Sequence, residues 1–227
     1  MAQERLQVPM GDGSTVSAVK TAPDSTPVRS LFIYAPGAGS NLNDPFGAYL
    51  DRRLPEAGVS IVRFQFPYME AAKRRPDSRA VLEETWRRVI GMFSNIGAPL
   101  IAGGRSMGGR IASQVVAQGA KADAVALFAY PLHAPGTPSK PGGKWRDEHL
   151  PGLSVPTLFC SGTRDAFATP SELAQAASLV SNPTVHLLEG AGHGFATLKS
   201  SGRTKEDVWS EAAGRFLDWL EVCFSAR

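Results

Sequence analysis

The chain has 227 residues, of which 43% are hydrophobic and 20% charged, with 23 Gly and 17 Pro. That is the composition of an ordinary globular protein of one domain, 1–227, long enough to bury roughly 70% of its unfolded surface without disulfides or a metal. Disordered, collagen-like and coiled-coil classes are excluded. The 24 Lys and Arg against 21 Asp and Glu leave a net charge of +3. The basic residues are dispersed apart from Lys73-Arg74-Arg75, so there is neither the basic stripe nor the signature of a nucleic-acid binder.

The N-terminal residues Met1–Arg5 are polar, and no apolar run approaches the roughly 18 residues of a membrane span. A cytoplasmic protein without membrane or nucleic-acid partners is expected. Cys160 and Cys223 lack C-x-x-C spacing and sit in apolar segments; they read as core thiols of a reducing compartment.

In chain order, Arg5–Met10 and Thr15–Lys20 flank Gly11-Asp12-Gly13, a hairpin signal. Short runs follow at Leu31–Ala35, Val59–Phe66, Pro99–Gly103, Ala124–Tyr130, Thr157–Ser161 and Val185–Leu188. Most are apolar throughout, as strands covered on both faces by helices must be. Between them, Ser78–Ile96 sets Val81, Leu82, Thr85, Trp86, Val89, Ile90 and Phe93 on one helical stripe. Thr169-Pro170-Ser171-Glu172 reads as a helix start with an N-cap Thr, Pro at the first position and Glu at the third. A last helix is expected from about Thr204 to Phe224. The alternation predicts an α/β fold, a mainly parallel doubly wound sheet led by an antiparallel hairpin, with helices on both faces. Pro131–Pro151 is a long loop with five prolines and no periodicity, the kind that is functional or disordered.

The chemistry centres on Gly104-Arg105-Ser106-Met107-Gly108, a G-x-S-x-G motif between the run Pro99–Gly103 and the helical pattern Ile111–Gln118. A serine at the apex of a strained strand-to-helix turn needs small flanking residues, and the turn lifts its hydroxyl to a helix N-terminus, where an oxyanion is favoured. A serine hydroxyl needs a base. His193, in Gly190-Ala191-Gly192-His193-Gly194 after the last strand, is the best placed. His186 lies within that strand, where a packed or surface role is expected; His133 and His149 lie in the long loop, as pocket-lining or, preferentially, solvated residues. No histidines share metal-ligand spacing on one element, so neither metal nor cofactor is expected.

A carboxylate must fix the tautomer of the base. Asp165, in Ser161-Gly162-Thr163-Arg164-Asp165, is either that group or a turn residue; Asp147 and Glu148 are rivals inside the long loop. The order Ser106, Asp165, His193, each just past the carboxyl end of a strand, favours Asp165, because ligands bind at that edge of open α/β sheets. Oxyanion donors are expected at the N–H of Met107 and, from the loop Ala35-Pro36-Gly37-Ala38-Gly39-Ser40, at Ala38. A phosphate-binding role for that loop is the alternative, but neither the Walker pattern nor G-x-G-x-x-G is present.

From Leu31 to Phe224 the sequence resembles the α/β-hydrolase superfamily. Ala35–Ser40, Gly103–Arg110, Tyr130-Pro131-Leu132-His133, Gly162–Asp165 and Gly190–Phe195 are similar to its small dienelactone-hydrolase-like branch. That branch also holds a testis-expressed vertebrate protein and a subunit of the non-specific lethal chromatin complex. The resemblance implies a nucleophile at Ser106, an acid at Asp165 and a base at His193, with no large cap. Two departures stand out. Dienelactone hydrolases proper carry cysteine where Ser106 stands, which points here to ester or thioester chemistry. The superfamily's G-x-x-D-x-x-V-P becomes Gly162-Thr163-Arg164-Asp165-Ala166-Phe167-Ala168-Thr169-Pro170, one residue longer.

The expectation is a serine hydrolase acting on a small-molecule acyl substrate in an open site. Gly37, Gly39 and Arg105 are expected to touch substrate, with Leu132, His133 and Trp145 as a partial roof. Two other readings remain. One is a catalytically weak interaction module that keeps the turn for packing, suggested by the chromatin-linked relative. The other is a different reaction on the same triad, such as carbon–carbon bond hydrolysis.

Overall fold

A computed structural model describes residues 2–24, 27–136 and 145–224. Residues 137–144, part of the long Pro131–Pro151 loop, lie outside the described residues. Eight strands form one sheet: β1 (Ala2–Pro9), β2 (Thr15–Ala22), β3 (Ser30–Ala35), β4 (Val59–Phe64), β5 (Leu100–Arg105), β6 (Ala124–Phe128), β7 (Thr157–Gly162) and β8 (Pro183–Leu188). Their spatial order is β1-β2-β4-β3-β5-β6-β7-β8. The β1–β2 hairpin is antiparallel, β2 joins β4 antiparallel, and all later pairings are parallel. The predicted hairpin is thus present, two to three residues longer on its outer ends; Asp12 closes its turn by accepting the Ser14 N–H at 3.0 Å.

The helices are α1 (Pro45–Arg53), α2 (Pro67–Glu70), α3 (Arg79–Phe93), α4 (Met107–Ala117), α5 (Pro170–Ala177) and α6 (Lys205–Phe224). None of the described helices is long and apolar enough to cross a membrane. Strand alternation divides the core. Leu31, Ile33 and Ala35 of β3 pack with α3 and α4, whereas Phe32 and Tyr34 pack with α1 and α6. On the α3/α4 face, Trp86 is fully buried and meets Phe64 edge-on at 4.9 Å. Further along that face, Val125, Leu127 and Phe159 lie under α5. Each fully buried aromatic or branched aliphatic side chain contributes roughly 1.5–3 kcal/mol, and β3 to β7 are buried almost without interruption.

The edge strand β8 differs, with Pro183, Thr184 and Val185 exposed. Helix α5 starts as its sequence dictates: Thr169 and Glu172 form a capping box, with Pro170 at the first helical position. Helix α1 was not among the predicted elements. Its own signal is Asp44-Pro45, an N-cap whose carboxylate accepts the Gly47 N–H at 2.9 Å, followed by Pro at the first position. The exposed run Lys73-Arg74-Arg75 lies between α2 and α3.

Candidate active site

Strand β5 ends at Arg105 and α4 begins at Met107, which leaves Ser106 alone on the turn. Its backbone sits at φ 52°, ψ −121°, a conformation that costs a non-glycine residue about 1–3 kcal/mol and needs its surroundings to hold it. Two hydrogen bonds do so: the Ser106 N–H donates to the Phe128 carbonyl at 2.8 Å, and the Ser106 carbonyl accepts the Arg110 N–H at 3.0 Å. The flanking glycines are forced by β3. A Cβ on Gly104 would lie 2.1 Å from the Ala35 carbonyl oxygen, and one on Gly108 would lie 2.2 Å from the same atom.

Asp165 and His193 arrive from the ends of β7 and β8. Asp165 is buried, and its Oδ1 accepts the Phe167 N–H at 2.8 Å. The loop bearing His193 is closed by Gly192 N–H donating to Ala196 O and Phe195 N–H to Gly192 O, both at 2.9 Å. The fully buried ring of Phe195, 5.0 Å from that of Phe46, pins this loop to the core. His193 Nδ1 lies 2.9 Å from Asp165 Oδ2 and 3.0 Å from Oδ1, while Nε2 lies 2.9 Å from Ser106 Oγ. A proton on Nδ1, donated to the carboxylate, leaves Nε2 free to accept the serine proton. The added residue in the acid segment therefore does not keep the Asp165 carboxylate from His193. Phe167, in that same segment, stacks on the imidazole with ring centroids 3.9 Å apart and planes 24° apart.

The loop after β3 lies against this turn. A Cβ on Gly37 would sit 3.4 Å from Ser106 Cβ, whereas Gly39 faces open space. The buried Tyr68 hydroxyl donates to the Ala38 carbonyl at 2.9 Å. Burial, with nearby Asp77, pushes the Tyr68 hydroxyl up to about 12, so it stays a neutral donor. Met107 is the first residue of α4, where an N–H has no acceptor within the helix. Arg105 reaches away to Asp44, which it meets at 2.9 Å; the same carboxylate group accepts Tyr34 Oη at 2.5 Å and Ser40 Oγ at 3.1 Å. Burial works against the Arg105 charge, but Asp44 outweighs it and raises its pKa. Arg105 thus ties α1, β3 and the serine turn together.

An open cleft of about 370 Å³ begins at Ser106, Met107 and Ala38 and is bounded by Leu82, Ile111, Pro131 and Phe167 on its apolar side. Asp77, Arg79, Arg110 and Arg146 supply the charged wall. The expected roof is different. Leu132 is fully buried under α5, and Trp145 packs against that same cluster; neither lines the cleft, which their sequence neighbours Pro131 and Arg146 do.

The expectation of solvated His133 and His149 is corrected. His133 is buried, with Nε2 3.0 Å from Glu172 Oε2 and Nδ1 2.9 Å from the Ala134 carbonyl. His149 Nε2 lies 2.7 Å from Ser113 Oγ; burial, aided by Arg110 and Arg79, pushes its pKa down to about 4. His186 pairs with Glu211 of α6 at 2.8 Å. Among the described residues, the carboxylate bonded to His193 is that of Asp165 rather than Asp147 or Glu148. No group of three or more described His, Cys, Asp or Glu side chains could hold a metal ion.

Sequence reasoning missed Phe167, Tyr68, Asp44, Arg110 and Arg146. Of these, Asp44 carried a readable signal in the Asp-Pro pair, and Arg110 one in its position four residues after the serine on the same helix.

Comparison with known proteins bears on the fold and the family. Residues 28–221 match the model of an alpha/beta hydrolase domain family, and the chain belongs to that family. Among solved structures, it is similar to an alpha-beta serine hydrolase homologue from Coxiella burnetii at 19% identity and a TM-score of 0.73, over 95% of this chain and 98% of that one. A serine hydrolase without lid from Xanthomonas campestris matches at 16% identity and 0.71, over 96% and 95%. A dienelactone hydrolase from Anabaena variabilis matches at 16% identity and 0.74, over 97% of both chains. At these identities the likeness is one of fold: the α/β-hydrolase fold without a large cap.

Proposed function

We propose that this protein is a serine hydrolase that cleaves a small ester or thioester through an acyl-enzyme, in a single domain spanning the chain. The observation that carries the reading is the unbroken chain from Ser106 Oγ through His193 to the buried Asp165 carboxylate, at 2.9 Å on each side of the imidazole, opening on a cleft. Ser106 Oγ attacks the substrate carbonyl carbon while His193 Nε2 takes its proton. The tetrahedral oxyanion is held by the N–H groups of Met107 and Ala38; losing one such donor costs roughly 3 kcal/mol of transition-state stabilisation. His193 returns the proton to the departing alkoxide or thiolate, and a water, deprotonated in turn by His193, releases the acid. Asp165 keeps the ring oriented and stabilises the imidazolium. The motif residues shared with the small dienelactone-hydrolase-like branch, which includes the testis-expressed and non-specific-lethal-complex relatives, support placing the chain there.

The test is fluorophosphonate labelling of purified protein beside Ser106→Ala and His193→Ala, with the adduct mapped by mass spectrometry. The expected result is an adduct on Ser106 in the wild type and none in either variant. Folded wild type that takes no label would overturn the reading and favour a non-catalytic module.

A further inference from the structure

The structure treats its partly buried guanidinium groups unequally. Arg63 and Arg105 each keep a carboxylate partner, Asp51 at 3.1 Å and Asp44 at 2.9 Å. Arg110, on the first turn of α4, has none among the described residues, and its Nε is buried without a hydrogen bond. The Nε atoms of Arg63 and Arg105 share that lack, so the distinguishing feature of Arg110 is the missing counter-charge. Burying a charge without a partner is costly.

The charge that acts most strongly on Arg110 is a second arginine. Arg146 lines the same cleft, and among the described residues its side chain donates to the Pro131 carbonyl, at 3.1 Å. Its main chain is fixed on both sides: its N–H donates to Leu132 O at 2.8 Å, and its carbonyl accepts the Tyr130 hydroxyl. Arg79 lies across the cleft but is paired with Glu83 at 2.6 Å, and Asp77 accepts the Tyr68 N–H at 2.8 Å. Behind Arg110, His149 is held by Ser113. Burial and then Arg146 lower the pKa of Arg110, Tyr130 works against them, and Arg79 lowers it further while Glu83 raises it; a guanidinium nonetheless stays charged. Two guanidinium groups without a carboxylate partner among the described residues thus line the cleft that begins at Ser106.

We infer that Arg110 and Arg146 form an oxyanion-binding subsite and that the substrate of this protein carries a carboxylate on its acyl part. A planar carboxylate matches the guanidinium fork in two parallel hydrogen bonds. The anion would supply the counter-charge that the fold provides for Arg63 and Arg105 but withholds from Arg110, and it would set the scissile carbonyl beside Ser106. The catalytic half rests on the proposed serine-hydrolase chemistry; the binding half does not.

The experiment separates the two. In Ser106→Ala protein, monomethyl glutarate and dimethyl glutarate are titrated by calorimetry, so that binding is read without turnover. The expected result is binding of the half-ester roughly 10- to 100-fold tighter than of the diester. That advantage shrinks in about 0.5 M salt and is largely lost in Arg110→Gln and in Arg146→Gln. Equal binding of the two esters overturns the subsite, as does an advantage that survives both substitutions. The salt comparison needs no variant, so misfolding of either one leaves the test intact. Charge-selective binding in a protein whose Ser106 takes no fluorophosphonate would keep the subsite and refute the hydrolase reading.

Discussion

Replacing Gly108 by alanine puts the spacing between β3 and α4 under direct test. The added Cβ would lie 2.2 Å from Ala35 O, 2.5 Å from Ala35 C and 2.6 Å from Pro36 O, where real Cβ atoms essentially never come within 3.0 Å. All three are backbone atoms, so no side chain can rotate away, and helix and strand must part by about 1 Å. Overpacking of this kind costs about 3 kcal/mol, the upper end of the usual range, which for a domain this long lowers the melting midpoint by roughly 6–12 °C. The displaced segment leads into the loop holding Ala38, so a misplacement of that size should also slow Ser106 labelling by roughly 100-fold. Differential scanning calorimetry and timed fluorophosphonate labelling read the two effects. Gly91→Ala is the control: it lies in α3 with nothing within 4 Å of the new Cβ, and helix propensity should raise stability by up to about 1 kcal/mol. A Gly108→Ala protein that melts with the wild type and labels at its rate would refute the claim that close approach, rather than chance, places glycine there.

Asp165→Asn is expected to lower the rate of ester turnover by about 10⁴-fold, since the amide favours the wrong imidazole tautomer; an initial-rate assay with a short acyl ester measures it, and a loss under tenfold would remove Asp165 from the mechanism. Tyr68→Phe deletes the bond to the Ala38 carbonyl. It should cost about 1 kcal/mol in urea denaturation and slow labelling of Ser106, whereas an unchanged rate would mean that the loop holds itself. The buried His133–Glu172 pair sets a pH dependence. Burial pushes Glu172 up, but bonds from Thr169 and His133 outweigh it and hold it down to about 2, below its ordinary 4.5. A depressed carboxyl stabilises the fold above its unfolded value, so that contribution is lost as pH falls from 4.5 towards 2. Burial pushes His133 down, but the Ala134 carbonyl and Glu172 outweigh it and raise it above 6.5, so its share is complete below 6.5 and lost as pH rises through the raised value. Urea midpoints should therefore peak between about pH 4.5 and 6.5 on account of this pair, and Glu172→Gln should flatten both limbs; an unaltered profile would contradict the assignment.

The serine turn, the capped start of α5 and the parallel sheet were legible because each is written in neighbouring residues. Gly104 and Gly108 flank Ser106 at fixed spacing, Thr169-Pro170-Ser171-Glu172 is a self-contained capping box, and β3 to β7 are mostly apolar because both faces are covered. The parts that escaped depend on residues distant in sequence. Whether Arg105 faces the cleft is settled by Asp44, 61 positions away. The expected roof failed for a similar reason: Leu132 and His133 come a few residues after β6, and the hydrophobic cluster under α5 and the Glu172 carboxylate draw them inward, leaving Pro131 and Arg146 at the cleft. Phe167 had no local mark at all. Its stacking on His193 follows from the Asp165 turn, which the sequence showed only as an extra residue.

The supports behind the serine turn couple stability to the site. Trp86 of α3 donates its indole N–H to Gly108 O at 3.1 Å, and Phe64 of β4 braces Trp86 edge-on with ring planes 89° apart. The helix turn that follows Ser106 is thus tied by a hydrogen bond to an aromatic pair buried on the same face of the sheet as Ala35. Because Gly108 lies in the helix turn that follows Ser106, any change that displaces Trp86 removes a partner of that turn. Core substitutions at Trp86 or Phe64 should therefore lower Ser106 reactivity more than their loss of stability alone explains, an excess that labelling at matched folded fraction isolates.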